Sequence, residues 1–348
     1  MFSWFDQTLA FVRARAQANG QFHVTRHGVE RQGDASLSDF ARRLEALGLK
    51  GCQTRVMLRP QQYQCLQIEA PVVEPEELRS AARYQIRDMI DTHIDDVTID
   101  VMRVGDGLSK GTAHLFVVAA PNAALRAATE LGNAMHWSIP VIDVQETAQR
   151  NLQNALAQRA ERAERANAAL VLVDESKAVL TICANEELFY TRRLDVPQGF
   201  LAESWSTLDS AAAPLSDAFT PVGEYVPEYG VGGVSYGSDY SAPGGRAEAG
   251  GVTSSAEGES AQRFLVEVQR SLDLWDRAWS SMPLASVSVF AGARSAELAQ
   301  WLTRELGQSV VPMDASSYFP GFAGGAESDL ATCWPLLGMF MRTESRKL

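Results

Sequence analysis

The sequence predicts an α/β protein of two lobes, with an insertion in the first. Three observations carry this. The chain opens with a run of short strands closed by a helix, a β-β-β-α unit. A second β-β-β unit begins at Ala168 and repeats that layout. Between the two units lies a strand–strand–helix–strand run from Val56 to Val104. At 348 residues there is length for two domains with substantial cores.

In the opening unit, strands are expected at Trp4–Arg13 and Gln21–Arg26, joined by a turn at Asn19-Gly20, with a third short strand before the helix. Ser36 or Ser38 is positioned to cap that helix, Phe40, Leu44 and Leu47 form its apolar stripe, and Gly48 stops it. Strands at Gln53–Leu58 and Tyr63–Glu69 follow, linked by Arg59-Pro60-Gln61, where proline fixes φ. A helix then opens on Glu74-Pro75-Glu76-Glu77, with its acids at the positive end of the helix dipole. Leu78, Ala81, Ala82, Ile86, Met89 and Ile90 follow its 3.6-residue spacing and are expected to be buried. Arg79, Arg83 and Arg87 recur every fourth residue beside that stripe. They read either as a solvated flank or as a basic ridge for a carboxylate-bearing partner.

Strands at Val97–Val104 and Ala113–Ala119, a helix from Pro121 to about Trp137 and a strand at Ser138–Val144 lead into a long helix from Gln145 to about Arg165. Its charge lies all round, so exposure is expected. Strands Ala168–Asp174, Ala178–Ala184 and Glu187–Leu194 form the second unit, and Leu201–Trp205 begins a helix. Residues 206–262 hold ten glycines and nine serines without hydrophobic periodicity, and are read as a disordered insertion. That stretch is a tolerated spacer or a segment that orders on a partner through Tyr225, Tyr229, Tyr236 and Tyr240. Beyond it come a helix at Phe264–Trp279, a strand at Ser286–Phe290, a helix at Ser295–Leu306, a strand at Ser309–Pro312 and a closing helix at Asp329–Met341.

Composition narrows the function. The net charge of −12 argues against a general nucleic-acid binder. Residues 206–262 hold eight acids against one base, Arg246, which leaves only −5 on the rest of the chain. No apolar run approaches the ~20 residues that span a bilayer. The N-terminal MFSWFDQTLAFVRARAQ, interrupted by Asp6, reads as mature protein. Cys52, Cys65, Cys183 and Cys333 lie far apart, as free thiols of a reducing compartment do, and His23 and His27 lack partners for a metal site.

Three phrases carry a family resemblance: LRPQQYQCLQIEAP with its EELRSAARYQIRDMI helix, IDVQETAQRNL, and EVQRSLDLWDRAW. Together they resemble the PilM and MshI proteins of type IV pilus (MSHA-type) biogenesis. The resemblance implies an actin-like (ribonuclease H-like) two-lobed fold with an inserted subdomain of FtsA type. It divides the chain into a first lobe (1–51 and 138–167), the insertion (52–137), a second lobe (168–205 and 263–348) and the 206–262 loop. It also implies a cytoplasmic adaptor of a Gram-negative pilus platform, serving a PilN-like bitopic inner-membrane protein and the platform's motor ATPase, and reaching the membrane only through partners. The partner's tail is expected beside the insertion, near Arg79, Arg83, Tyr84, Arg87 and the Val97–Val104 strand.

Actin-like enzymes hold ATP with two Asp-x-Gly hairpins and a glycine-rich turn. Here the first hairpin falls at Asp6-Gln7-Thr8-Leu9 and lacks glycine. The second, Asp174-Glu175-Ser176-Lys177, keeps the aspartate but not the glycine step, which lets backbone N–H groups approach phosphate. In the third, Phe290–Arg294, only Gly292 remains. Asp6, Asp174, Ser176, Lys177 and Gly292 therefore mark a degenerate nucleotide site. A pseudo-ATPase scaffold is expected, with no catalytic residue, metal or required cofactor. The alternatives are an active Mg-ATP-binding switch and a GspL-like component of type II secretion. The latter ranks lower, because the chain stops at Leu348 without a membrane span.

Overall fold

The computed structural model describes residues 1–105, 113–172, 174–205 and 253–343. Strands β1 (Phe2–Phe5), β2 (Thr8–Ala16) and β3 (Phe22–Arg31) form an antiparallel meander. To it β4 (Val56–Leu58) and β8 (Ile142–Val144) add in parallel, giving the order β3-β2-β1-β4-β8. Strands β9 (Ala166–Leu172), β10 (Lys177–Ala184), β11 (Glu187–Asp195), β12 (Leu284–Phe290) and β13 (Val310–Pro312) repeat this order and these senses as β11-β10-β9-β12-β13. The duplicated β-β-β unit expected from the sequence is thus two copies of one sheet.

A third sheet, β5-β7-β6, is antiparallel and built from β5 (Gln64–Glu69), β6 (Val97–Val104) and β7 (His114–Pro121). Helix α2 (Leu78–Gln85) covers one face of it, through Leu78, Ala82 and Ile86 against Ile99, Val101 and Val117. Met89, expected in the buried stripe, is 49% exposed, because the helix ends at Gln85 and the chain turns away.

The long expected strand Trp4–Arg13 is in fact β1 and β2, divided at Asp6-Gln7. Both of these residues take positive φ (47° and 54°), as a two-residue hairpin turn demands. No separate third strand follows, since β3 runs on to Arg31. Helix α1 (Leu37–Ala46) is capped by Ser36, which accepts from the Asp39 N–H at 3.1 Å, and is ended by Gly48 at φ +73°. Helix α3 (Asn122–Ala134) packs with α1 on the outer face of the first sheet, where Ala128 and Leu131 meet Phe2, Phe40 and Leu44. Both β4 and α3 fall within 52–137, yet pairing and packing join them to the first sheet. The residues that stand apart from that sheet are those of β5, α2, β6 and β7.

Helices α5 (Thr253–Ala278) and α6 (Ser295–Leu306) cover the outer face of the second sheet. Helix α5 starts at Thr253, so the last ten residues assigned to the disordered loop are helical. Its four tyrosines at 225–240 lie outside the described residues. Only a single short turn, Phe200–Ala202, forms where a helix was expected at Leu201–Trp205.

The inner faces of the two sheets meet across α4 (Gln145–Arg159) and the C-terminal segment. Ala10 and Val12 from β2, Ala169 and Val171 from β9, and Ala148 and Leu152 from α4 share one core with Cys333, Trp334 and Leu337. Helix α4 was expected to run to about Arg165 and to be exposed, but it ends at Arg159 and is enclosed by both lobes. Gln145, Glu146, Gln149, Arg150 and Gln153 are each no more than 4% exposed. Glu146, Gln149 and Gln153 find partners inside, whereas the Gln145 amide has none among the described residues. The Gln149 amide donates to the carbonyls of Ala169 (2.9 Å) and Val179 (3.1 Å), and Gln153 accepts from the Thr181 hydroxyl at 2.8 Å.

The closing helix is α7 (Glu327–Cys333), which continues as a 3-10 segment, Trp334–Met339. Although assigned to the second lobe, this part packs on β2 and β3: the Cys333 thiol donates to the carbonyls of Phe11 and Gly28. Gly338 makes the closure on α4 feasible, since a Cβ there would lie 1.8 Å from the Ala148 carbonyl oxygen.

Candidate functional site: the expected nucleotide loops and an open groove

The five residues expected to mark a degenerate nucleotide site lie on three separate turns, one after β1, one after β9 and one after β12. Asp6 lies exposed in the β1–β2 turn. In the β9–β10 turn, Asp174 accepts at 2.8 Å from the backbone N–H groups of Ser176 and Lys177 and from the Ser176 hydroxyl. It is an Asx-type turn, satisfied by its own loop. The Lys177 ammonium pairs with Asp195 across the β10–β11 hairpin. Gly292 retains positive φ (60°), but faces α7: a Cβ placed on it would meet Ala331 Cβ at 3.5 Å. No hydrogen bond or ion pair among the described residues joins Asp6 to the Asp174 turn.

Side chains not singled out in the sequence engage the Asp174 turn and the segments beside it. Gln61 donates from Nε2 to Asp174 Oδ2 at 2.8 Å. Arg59 donates to the Ser3 hydroxyl (3.2 Å) and the Thr332 carbonyl (3.0 Å), and burial pulls its pKa below the usual guanidinium value. Phe290 and Trp334 stack with ring centroids 4.0 Å apart.

Behind these residues, Arg193 of β11 reaches Glu146 Oε1 through Nε (3.1 Å) and Nη2 (3.0 Å), and the carbonyls of Pro60 and Tyr63 through Nη1. Its guanidinium stands 4.4 Å from the Tyr63 ring centroid. The Tyr63 hydroxyl donates to the other Glu146 oxygen, and burial beside that carboxylate raises its pKa. For Arg193 burial is the largest single effect and lowers the pKa, but Glu146, Tyr63 and Cys65 together outweigh it, and the pKa is raised. Arginine, glutamate and tyrosine thus tie the second sheet to the first turn of α4 and to the 60–63 turn.

A groove of about 290 Å³ opens beside the third sheet. It is lined by Asp100–Arg103 of β6, Ile142–Val144 of β8, Thr147 and Arg150 of α4, Glu187 and Leu188 of β11, and Arg342. Each of those three strands is the edge of its sheet. Edge strands carry unpaired backbone groups, the means by which a sheet accepts another chain. Here side chains hold two of them. The Val101 N–H donates to Asp100 Oδ1 at 3.0 Å, and the Val144 N–H donates to Asp143 Oδ1 at 3.0 Å. Asp143 also pairs with Arg342 at 2.7 Å.

The expected basic ridge is divided. Arg79 pairs with Asp100 at 3.0 Å on the groove's rim. Arg83 is turned inward, donating to the carbonyls of Ile94 and Val97, and so braces the turn before β6. Tyr84, 81% exposed, and Arg87 face solvent. Of the four, Arg79 alone has a partner that lines the groove. Free thiols are found at all four cysteines. Burial pushes the Cys183 thiol up to about 12 and that of Cys333 up to about 11. No cluster among the described residues could hold a metal ion, and no helix of the structure is long and apolar enough to cross a membrane.

This duplicated sheet order, with an inserted three-stranded sheet in the first half, is the actin-like fold. Among solved structures the chain is similar to a chain of a PilM-PilN type IV pilus biogenesis complex, at 14% identity and a TM-score of 0.61 over 98% of both chains. Weaker likenesses are to the cytoplasmic domain of EpsL, an inner-membrane component of the type II secretion system of Vibrio cholerae, and to a Bacteroides thetaiotaomicron protein with an actin-like ATPase fold. The first has 15% identity and a TM-score of 0.39, over 56% of this chain and 70% of that one. The second has 7% identity and a TM-score of 0.46, over 95% and 94%. No family model and no curated protein matches the sequence.

Proposed function

We propose that this chain is a non-catalytic adaptor of a type IV pilus assembly platform of the MSHA type. On this reading it works at the cytoplasmic face of the inner membrane and holds the tail of a PilN-like bitopic protein in the groove beside the inserted sheet. One observation carries the proposal: three sheets turn open edge strands into a single groove. An extended tail arriving there displaces the side-chain contacts of Asp100 and Asp143 rather than any backbone ladder.

The engagement of the expected nucleotide loops within the chain supports a scaffold rather than an enzyme. Asp174 is engaged by its own turn and by Gln61, and Arg59 spans from Ser3 to Thr332. The likeness to a chain of the PilM-PilN complex extends over nearly the full length, which favours a pilus role over type II secretion. Isothermal titration with Mg-ATP and with a PilN-like tail peptide tests both halves. The scaffold reading requires saturable heat from the peptide and none from the nucleotide. An ATP signal with measurable affinity would replace it by the nucleotide-switched alternative.

A further inference from the structure

The outer end of the first lobe carries a concentration of positive charge that the adaptor reading leaves unused. Residues 7–29 and 46–68 contain no aspartate or glutamate, in a chain whose net charge is −12. The fold brings these two stretches together. In the β2–β3 hairpin Arg13 stands opposite Arg26, and Arg15 opposite His23, on the face turned away from the core shared by the lobes. Directly opposed like charges destabilise a strand pair. Two of them are used locally: Arg13 donates to the Gly48 carbonyl at 3.0 Å and Arg26 to that of Leu47, both at the negative end of the α1 dipole. These bonds dock the hairpin on the 47–50 loop and hold the guanidinium groups side by side at the surface. Arg15 extends the row, exposed, and Lys50, in the loop that holds Arg13, pairs with Glu45.

We infer that this end of the first lobe is a docking surface for anionic phospholipid headgroups. Charge complementarity is the argument, and the make-up of the patch selects the partner. None of the exposed large apolar side chains among the described residues lies within 13–26 or 46–55. A protein interface depends on aromatic and apolar anchors, whereas a charged bilayer surface needs only cations within a Debye length. An adaptor drawn to the inner membrane by a bitopic partner would place such a surface within that range. The inference rests on the adaptor reading for its context, but vesicle binding is read independently of the partner's tail.

The full chain is sedimented at low salt with vesicles of phosphatidylcholine alone, and with vesicles of equal parts phosphatidylcholine and phosphatidylglycerol. Binding to the anionic vesicles only is expected, with release by high salt. The Arg15→Glu, Lys50→Glu double variant is expected to lose about tenfold or more in vesicle affinity, while keeping its circular dichroism and its affinity for the tail peptide. Millimolar inorganic phosphate leaves a multivalent surface bound. Release by phosphate at constant ionic strength would reveal a single-anion site and overturn the proposal. Equal binding to both vesicle types, no binding to either, or an unaffected double variant would overturn it too. Loss of peptide binding with vesicle binding intact would count against the adaptor reading instead.

Discussion

Glu146 and Arg193 form a buried ion pair across the boundary between the lobes, with two hydrogen bonds of 3.1 and 3.0 Å from one guanidinium to one carboxylate oxygen. The glutamate side chain is 1% exposed and the arginine 28%. Because Arg193 also holds the Pro60 and Tyr63 carbonyls, one side chain fixes the second sheet, the entry to the third sheet and the first turn of α4.

Removing one member of such a pair leaves the other charge buried and uncompensated. Arg193→Met is expected to lower unfolding free energy by about 3–5 kcal/mol in urea denaturation. Glu146→Gln, which keeps the volume and an acceptor, is expected to cost less than Arg193→Met. Equal stability of Arg193→Met and the parent would remove the pair from the account.

Gly338 sits where any side chain would collide with backbone of α4, at 1.8 Å from the Ala148 carbonyl oxygen. Gly338→Ala is therefore expected to destabilise the chain by about 1–3 kcal/mol or more, seen as a lower melting temperature in calorimetry. A matched change at Gly20, where a Cβ meets nothing within 4 Å, costs only the strain of its positive φ.

Stability should fall at alkaline pH. Burial raises the thiol of Cys333 to about 11 and that of Cys183 to about 12, from an ordinary value of 9.0, so both stay protonated in the folded chain. Unfolding above about pH 9 releases those protons, and the stabilisation present below that pH is lost as pH rises towards 11–12. The slope is about 1.4 kcal/mol per pH unit for each thiol ionised only on unfolding. Denaturation midpoints of the parent and of Cys183→Ala, Cys333→Ala between pH 8 and about 11 check the sign; a parent slope no steeper than the double variant's would contradict it.

Ile142, 37% exposed at the edge of β8, offers a test of the groove that leaves the core untouched. Ile142→Glu is expected to weaken tail-peptide binding about tenfold or more, since hot-spot losses of about 2 kcal/mol are typical of such anchors. Its unfolding midpoint should stay within a few tenths of a kcal/mol of the parent. Tyr84→Ala, on the solvent face of α2 and outside the groove lining, should leave binding close to the parent value.

Much of the fold was legible because it is local. Period-two strands, the Ser36 cap and the Gly48 stop specify themselves within a few residues. Helix α4 was not, because polar side chains all round normally signal solvent. Here Gln149 and Gln153 spend their hydrogen-bonding capacity on backbone and hydroxyl groups of β9 and β10, partners more than a dozen residues away. The assignment of β4 to the insertion failed for a related reason. Its three residues pair with β1 and β8, a register that no local pattern records.

Site residues divide in the same way. The loss of glycine at Asp6-Gln7 and after Asp174 was visible in the sequence. That Gln61 engages Asp174, Arg59 the Thr332 carbonyl and Trp334 the Phe290 ring was not, since these contacts join distant parts of the chain. Arg83 looked like its neighbours on a basic edge, yet it faces inward to the Ile94 and Val97 carbonyls, a role set by the turn before β6.

The central claim is that the chain holds a partner tail in the edge-strand groove without help from a nucleotide. Titrating a PilN-like tail peptide into nucleotide-free protein, with and without Mg-ATP, tests it most directly. The account predicts one saturable site, weakened by Ile142→Glu and unchanged by Mg-ATP. Absence of peptide binding, or binding that appears only with Mg-ATP, would contradict it.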